Sequence, residues 1–143
     1  MKVLIDTNIA LDVLLKRTPY YEKSAGVLAL SEKRKIDAYI SASAVTDIYY
    51  ITRKALKDKR ATIDLLRRLV NVVKVAAVID DNVRQALELE WDDFEDSIQY
   101  VAGESLQVEY VITRNPKDYE RGSISVVTPE VFLTLCADWE RSI

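Results

Sequence analysis

The sequence predicts an α/β domain with a central, mainly parallel sheet covered on both faces. Three observations predict it. Short apolar runs rich in β-branched residues alternate with longer segments whose apolar residues recur at helical spacing. Only three Gly and three Pro occur in 143 residues, too few for a fold built from loops. No internal repeat, low-complexity stretch or linker interrupts the chain, so residues 1–143 read as a single domain long enough to bury its own core.

The elements follow in order. Val3-Leu4-Ile5 reads as a buried strand, closed by the cap-like Asp6-Thr7-Asn8. Ile9 to Leu15 reads as a helix. Thr18-Pro19 is a start signal for a second helix reaching about Lys33, with Gly26 inside it as a mark of close packing. Ala38 to Ile40 is a short strand. Ser41 to Leu56 carries the clearest helical period, through Ala44, Val45, Ile48, Tyr49, Thr52 and Leu56. Ala61 to Val70 is a helix with Arg67 and Arg68 on its wet side, and the β-branched run Val72 to Ile79 reads as a strand. Asp80-Asp81-Asn82 caps a helix over Val83 to Leu89, and Asp93 opens another from Phe94 to Leu106, whose apolar face holds Phe94, Ile98 and Val101. Val108 to Thr113 and Ile124 to Val127 are strands, and Thr128-Pro129-Glu130 opens the last helix.

Composition excludes several chemistries. There is no histidine, which removes Ser-His-Asp and Cys-His catalysis, histidine general bases and His-based zinc sites. Cys136 is the one cysteine, so no internal disulfide forms; it sits among Val131, Phe132, Leu135 and Trp139 at helical spacing and reads as a core thiol. Twenty Lys and Arg stand against 23 Asp and Glu, a net charge of −3. Contact with nucleic acid therefore has to come from local patches. No apolar run approaches the ~18 residues of a membrane helix, and Asp6 ends the apolar start too early for a signal peptide. The expected location is the cytoplasm, with no membrane partner.

Ligands of open parallel sheets bind outside the carboxyl ends of the strands. The residues there are acidic. Asp6, Thr7 and Asn8 follow the first strand; Asp47 lies in the helix after the second; Asp93 and Asp96 occupy the first turn of a helix; Thr113, Arg114, Asn115 and Asp118 follow the last long strand. Clustered carboxylates stay ionised in a cleft only beside a counter-charge, and oxygen-only ligands suit Mg²⁺ or Mn²⁺. Such ions activate water and stabilise a pentavalent phosphoryl group without any histidine. Each acid also has an ordinary role open to it. Asp6 fits a helix cap, Asp47 a solvated helix position, Asp93 and Asp96 a capping-box pair, and Asp118 a polar loop.

Four segments together resemble the PIN domain family across nearly the whole chain. They are Val3 to Asn8, Ser41 to Tyr50 around Asp47, Asp93 to Gln99, and Val111 to Tyr119 with its Thr113-Arg114-Asn115 and Lys117-Asp118-Tyr119 signatures. The resemblance implies a three-layer α/β/α sandwich and a metal-dependent endoribonuclease, in many members a VapC-type toxin of a type II toxin–antitoxin pair, often a homodimer held inactive by an antitoxin protein. Carried over by motif, Asp6, Asp47 and Asp96 are the catalytic, metal-binding acids for Mg²⁺ or Mn²⁺, and Asn8 and Thr113 support the site by hydrogen bonding. Asn115, with a carbonyl oxygen, or Asp118, with a charge, completes the metal site. Arg114, a cation inside a site motif, is the candidate contact to RNA phosphate. Two positions depart from the family pattern: Asp47 stands where Glu is frequent, and Asn115 where an acid often follows Thr-Arg. The alternative reading is a non-catalytic PIN-like module that binds RNA or a protein. A phosphatase of the haloacid-dehalogenase type needs a second Asp two residues after the first, where this chain has Asn8.

Basic clusters offer RNA contacts on an acidic chain. Arg53 to Arg60 carries five cations and one acid. Arg67-Arg68, Lys16-Arg17 and Lys33-Arg34-Lys35 are smaller and equally suit solvated helix ends. The eight tyrosines suit packing as well as base stacking.

Overall fold

The computed structural model describes residues 1–119 and 122–142. Five strands form one all-parallel sheet: β1 (Lys2–Ile5), β2 (Asp37–Ser41), β3 (Lys74–Ala76), β4 (Tyr110–Ile112) and β5 (Ser125–Val127), in the order β3-β2-β1-β4-β5. The helices are α1 (Thr7–Leu14), α2 (Tyr21–Glu32), α3 (Ala42–Leu56), α4 (Lys59–Val72), α5 (Asp80–Leu89), α6 (Phe94–Leu106) and α7 (Pro129–Ser142), with a 3₁₀ turn over Pro116–Tyr119. This is the α/β/α sandwich expected of the sequence, with a sheet that is wholly parallel.

Alternation along β1 explains the layering. Val3 and Ile5 enter one core with Ile9, Val27, Ile48 and Phe132, whereas Leu4 enters the other with Tyr100, Ala102 and Val111. All three β1 residues are fully buried, and each such side chain stabilises the fold by about 2 kcal/mol. Helix α6 fills the second face and is itself buried from Asp96 to Gly103, with α5 packed outside it. Cys136 is buried beside Phe132 in the first core. A Cβ on Gly26 would lie 3.0 Å from Leu133 Cδ1, so this glycine lets α2 close onto α7.

Local boundaries shift for identifiable reasons. Helix α2 begins at Tyr21, after a turn in which the Tyr21 N–H donates to Arg17 O at 2.7 Å; Thr18 does not cap it. Helix α4 starts at Lys59 because Asp58 Oδ1 accepts the Ala61 N–H at 3.0 Å. It runs on to Val72, where the Ser31 hydroxyl donates to the Val72 carbonyl at 2.6 Å. The strand expected over Val72 to Ile79 therefore shrinks to β3, an edge strand paired only with β2. Helix α5 begins at Asp80, and the capping group is Asn82, whose Oδ1 accepts the Ile79 N–H at 2.9 Å. Val108 turns out of α6, its N–H donating to Gly103 O, so β4 begins at Tyr110. Phe94, expected on the apolar face of α6, is 44% exposed.

Candidate active site

The carboxyl edge of β1 and β4 places Asp6 first. Its N–H continues the ladder by donating to Ile112 O at 2.9 Å, and its carbonyl accepts the Ile9 N–H as α1 begins. Asp6 thus occupies the cap position of α1, yet its side chain makes no capping bond. Instead Thr113 Oγ1 donates to Asp6 Oδ2 at 2.8 Å, and the carboxylate is buried. Burial raises its pKa; Thr113, the Thr7 N–H and the Gln99 side chain oppose that by donating to the charged form, and the charge of Asp118 adds to the rise. The capping explanation for Asp6 fails on this geometry. The side chain takes its strongest bond from Thr113 at the end of β4 and not from the N–H groups further into the helix.

Asp96 joins it from the first turn of α6. It is buried, and its pKa is pushed up to about 7, first by burial and then by the charges of Asp6, Asp93 and Asp118. The Tyr119 hydroxyl donates to Asp96 Oδ1 at 3.3 Å and partly offsets the rise. Burial and the surrounding carboxylates raise the Tyr119 pKa as well, so the phenol remains a donor. Asp93 is the residue that caps α6, its Oδ1 accepting the Asp96 N–H at 3.0 Å. Asp93→Ala is therefore expected to cost about 1 kcal/mol in denaturant unfolding, and Asp93→Ser to restore most of it.

Asp47 lies in a second carboxylate pair. It is half-buried on α3 and hydrogen-bonds to Glu95, whose pKa is pushed up to about 7 by burial, then by that bond and the Asp47 charge. Thr7 Oγ1 donates to Glu95 Oε1 at 3.1 Å. Thr7 therefore links the two pairs, its backbone serving Asp6 and its hydroxyl Glu95. The remaining expected residues divide. Thr113 orients Asp6. Asn115 is exposed and acts through its backbone: its N–H donates to Thr113 Oγ1 at 3.1 Å and its carbonyl accepts the Asp118 N–H at 3.0 Å. Asp118 is exposed and bears on Asp6 and Asp96 by charge. Asn8 Oδ1 accepts from Arg17 at 3.5 Å, so its bond goes to an arginine and not to a carboxylate. Arg114 pairs with the fully buried Asp12 at 3.2 Å and lies over the Tyr20 ring.

Four residues of this constellation are not marked as site residues by the sequence: Glu95, Gln99 and Tyr119, which lie inside the motif segments, and Asp12. A usable signal existed for two. Gln99 is a lone amide between Ile98 and Val101 on a buried helix, and Asp12 a lone acid in an apolar run. Polar groups at such positions need a dedicated partner.

Known proteins supply an independent comparison. Residues 2–117 match the family model for the PIN domain. The chain belongs to the PIN domain family. No curated protein sequence matches it. Among solved structures of this PIN fold, DNA-bound VapBC from Salmonella typhimurium superposes with a TM-score of 0.71 at 17% identity, covering 90% of this chain and 98% of that one. VapBC2 from Rickettsia felis, bound to a promoter DNA fragment, gives 0.69 at 16% identity, with the same coverage of 90% and 98%. VapC20 from Mycobacterium tuberculosis, a sarcin–ricin-loop-cleaving toxin, gives 0.63 at 16% identity, covering 76% and 86%.

The donor set of this PIN domain suits a divalent cation of the Mg²⁺ class. Asp6 and Asp96 are buried oxygen donors that repel each other, and no cation of the chain pairs with either among the described residues. No three acid, thiol or imidazole side chains among the described residues form a ready-made ligand cage. That pattern matches an open site, because Mg²⁺ keeps several waters and needs one or two carboxylates plus substrate phosphates.

Proposed function

We propose that this PIN domain is a Mg²⁺- or Mn²⁺-dependent endoribonuclease that cleaves single-stranded RNA, and that it is the toxin of a type II toxin–antitoxin pair. The observation that carries the first part is the Asp6–Asp96 pair: two buried acids at the carboxyl edge of a parallel sheet, raised by burial and by the charges around them. Asp6 and Asp96 would hold the cation, with Asp118 beside them; it supplies Lewis acidity toward water and phosphate oxygen. Thr113 and Gln99 hold the Asp6 carboxylate in one orientation by donating to it. Tyr119 does the same for Asp96. Glu95, pushed up to about 7 beside Asp47 with which it shares a hydrogen bond, would accept or return a proton at the substrate.

The toxin part is supported by the VapBC and VapC structures among the neighbours. An antitoxin partner and a homodimer belong to the same reading; light scattering at micromolar concentration reads the second directly. The experiment for the whole is cleavage of a labelled single-stranded RNA. Activity is expected with Mg²⁺ or Mn²⁺, none in EDTA and none in Asp6→Asn. Equal cleavage by the variant assigns the activity to a contaminant. A binding module without turnover is the rival, motivated by the uncharged Asn115, and cleavage that EDTA blocks and Asp6→Asn lacks would end it.

A further inference from the structure

A pocket of about 390 Å³ lies at the carboxyl edge of β4 and β5, walled by Pro19, Tyr20, Lys23, Arg114, Pro129 and Glu130 among others. It neighbours the carboxylates. Arg114 directly follows Thr113, the residue whose hydroxyl holds Asp6. Arg114 is expected from the sequence to meet RNA phosphate, and none of the roles derived above uses the rest of the pocket.

Its chemistry is that of an anion site with an apolar wall. Arg114 is no loose surface cation. Its Nε sits 3.2 Å from Asp12 Oδ2, and Asp12 is fully buried and further tied by the Ser24 hydroxyl at 3.4 Å. The Tyr20 ring lies 4.0 Å from the guanidinium carbon, a stack that fixes the plane of the fork. A guanidinium fixed on two sides is pre-organised for a phosphate. Lys23 is exposed on α2 and has no ion pair among the described residues. Among the lining residues Lys23 and Arg114 are cationic and Glu130 is the acid, and Arg17, 4.0 Å from Asp12, shares that carboxylate with Arg114. The first turn of the 14-residue helix α7 also opens here, and its dipole favours an anion. Tyr20 is 43% exposed and with Pro19 and Pro129 gives flat apolar surface against which a base can stack. The volume is that of a small-molecule site and fits one nucleotide unit, not a duplex.

We propose that this pocket binds the nucleotide adjoining the scissile phosphate of single-stranded RNA, with its phosphate on Arg114 and Lys23 and its base against Tyr20. The assignment deepens the ribonuclease reading and rests on it for the identity of the polymer. Binding itself needs no turnover, which keeps the two separable.

Amide NMR titrations in EDTA test it, with nucleoside 5′-monophosphates, inorganic phosphate and a six-nucleotide single-stranded RNA as probes. For the monophosphates we expect saturable shifts centred on residues 20–24, 114, 128 and 130, and binding about tenfold tighter than inorganic phosphate. The hexanucleotide binds more tightly still. Lys23→Ala and Tyr20→Ala each weaken binding by about five- to tenfold, and Asp96→Asn binds at least as well as the wild type. No saturable shift, or unchanged affinity in both pocket variants, overturns the proposal. A mononucleotide that outbinds the hexanucleotide makes the pocket a free-nucleotide site and overturns the RNA assignment. Saturable binding by a protein that never cleaves RNA would leave the pocket standing while removing the ribonuclease reading.

Discussion

Asp96→Asn is expected to lower metal-dependent RNA cleavage by on the order of 10²–10³-fold while making the metal-free protein more stable at neutral pH. The two effects have one origin. Asp96 sits at about 7 in the folded chain because burial and neighbouring acids penalise its charge; unfolded, its pKa is about 4. The folded state therefore binds the proton more tightly than the unfolded one. At pH 4 and below both states are protonated and nothing is lost. As pH rises from about 4 to about 7 the unfolded state gives up its proton first, and stability falls. A shift of this size corresponds to at most about 4 kcal/mol, and relaxation around the ion reduces it. Asp6, also raised, adds a loss of the same sign. Denaturant unfolding of the wild type in EDTA at pH 4.5 and pH 8 is expected to show the decline, and Asp96→Asn a shallower one. Mn²⁺ at pH 8 should restore stability to the wild type and much less to the variant, since a ligand of the folded state stabilises by mass action. A wild type whose stability is flat across that interval would contradict the burial argument.

The second large effect belongs to Arg114. Asp12 is fully buried, and its main counter-charge is Arg114, with Arg17 farther away at 4.0 Å. Burial raises the Asp12 pKa and Arg114 opposes that most strongly. Arg114→Ala leaves a buried carboxylate short of its partner, a change expected to cost about 3–5 kcal/mol. The remedy open to the variant is protonation of Asp12, so the deficit should narrow as pH falls. Adding Asp12→Asn to Arg114→Ala removes the uncompensated charge and should recover a large part of the loss. That non-additivity in a double-mutant cycle separates an ion pair from simple loss of side-chain packing. Additive costs would point to packing alone.

Much of this architecture is legible in the sequence because period and length report burial directly. Val3-Leu4-Ile5 is apolar on consecutive residues because both faces of the sheet are covered. Residues 42–56 show a helical period because only one side of α3 is buried. What misleads is β-branched content. Val72 belongs to a helix end stabilised by Ser31 from a distant segment, and Val78 and Ile79 lie beyond a three-residue edge ladder. Contacts between segments far apart in sequence decide such boundaries, and local propensity does not contain them.

The site is legible to a different depth. The position of Asp6 at the end of β1 follows from topology, and that of Asp96 from the start of α6. What those acids do there depends on partners far along the chain: Thr113 lies 107 residues from Asp6 and Tyr119 lies 23 from Asp96. Asp93 and Asp96 fit one capping-box spacing, yet the structure gives the cap to Asp93 and buries Asp96. Glu95 is the instructive omission. In the sequence it is one more first-turn acid among Asp92, Asp93 and Asp96. Its pairing with Asp47 arises only when α3 and α6 pack together.

The proposed ribonuclease activity requires Asp6 and Asp96 to hold a divalent cation. Isothermal titration of the metal-free protein with Mn²⁺ and Mg²⁺ at pH 7.5, wild type beside Asp6→Asn, tests it most directly. Saturable binding by the wild type is expected, accompanied by proton release because Asp96 is partly protonated near neutrality, and its loss in Asp6→Asn. Equal binding by both proteins, or binding by neither even in the presence of an uncleavable single-stranded RNA, would contradict it.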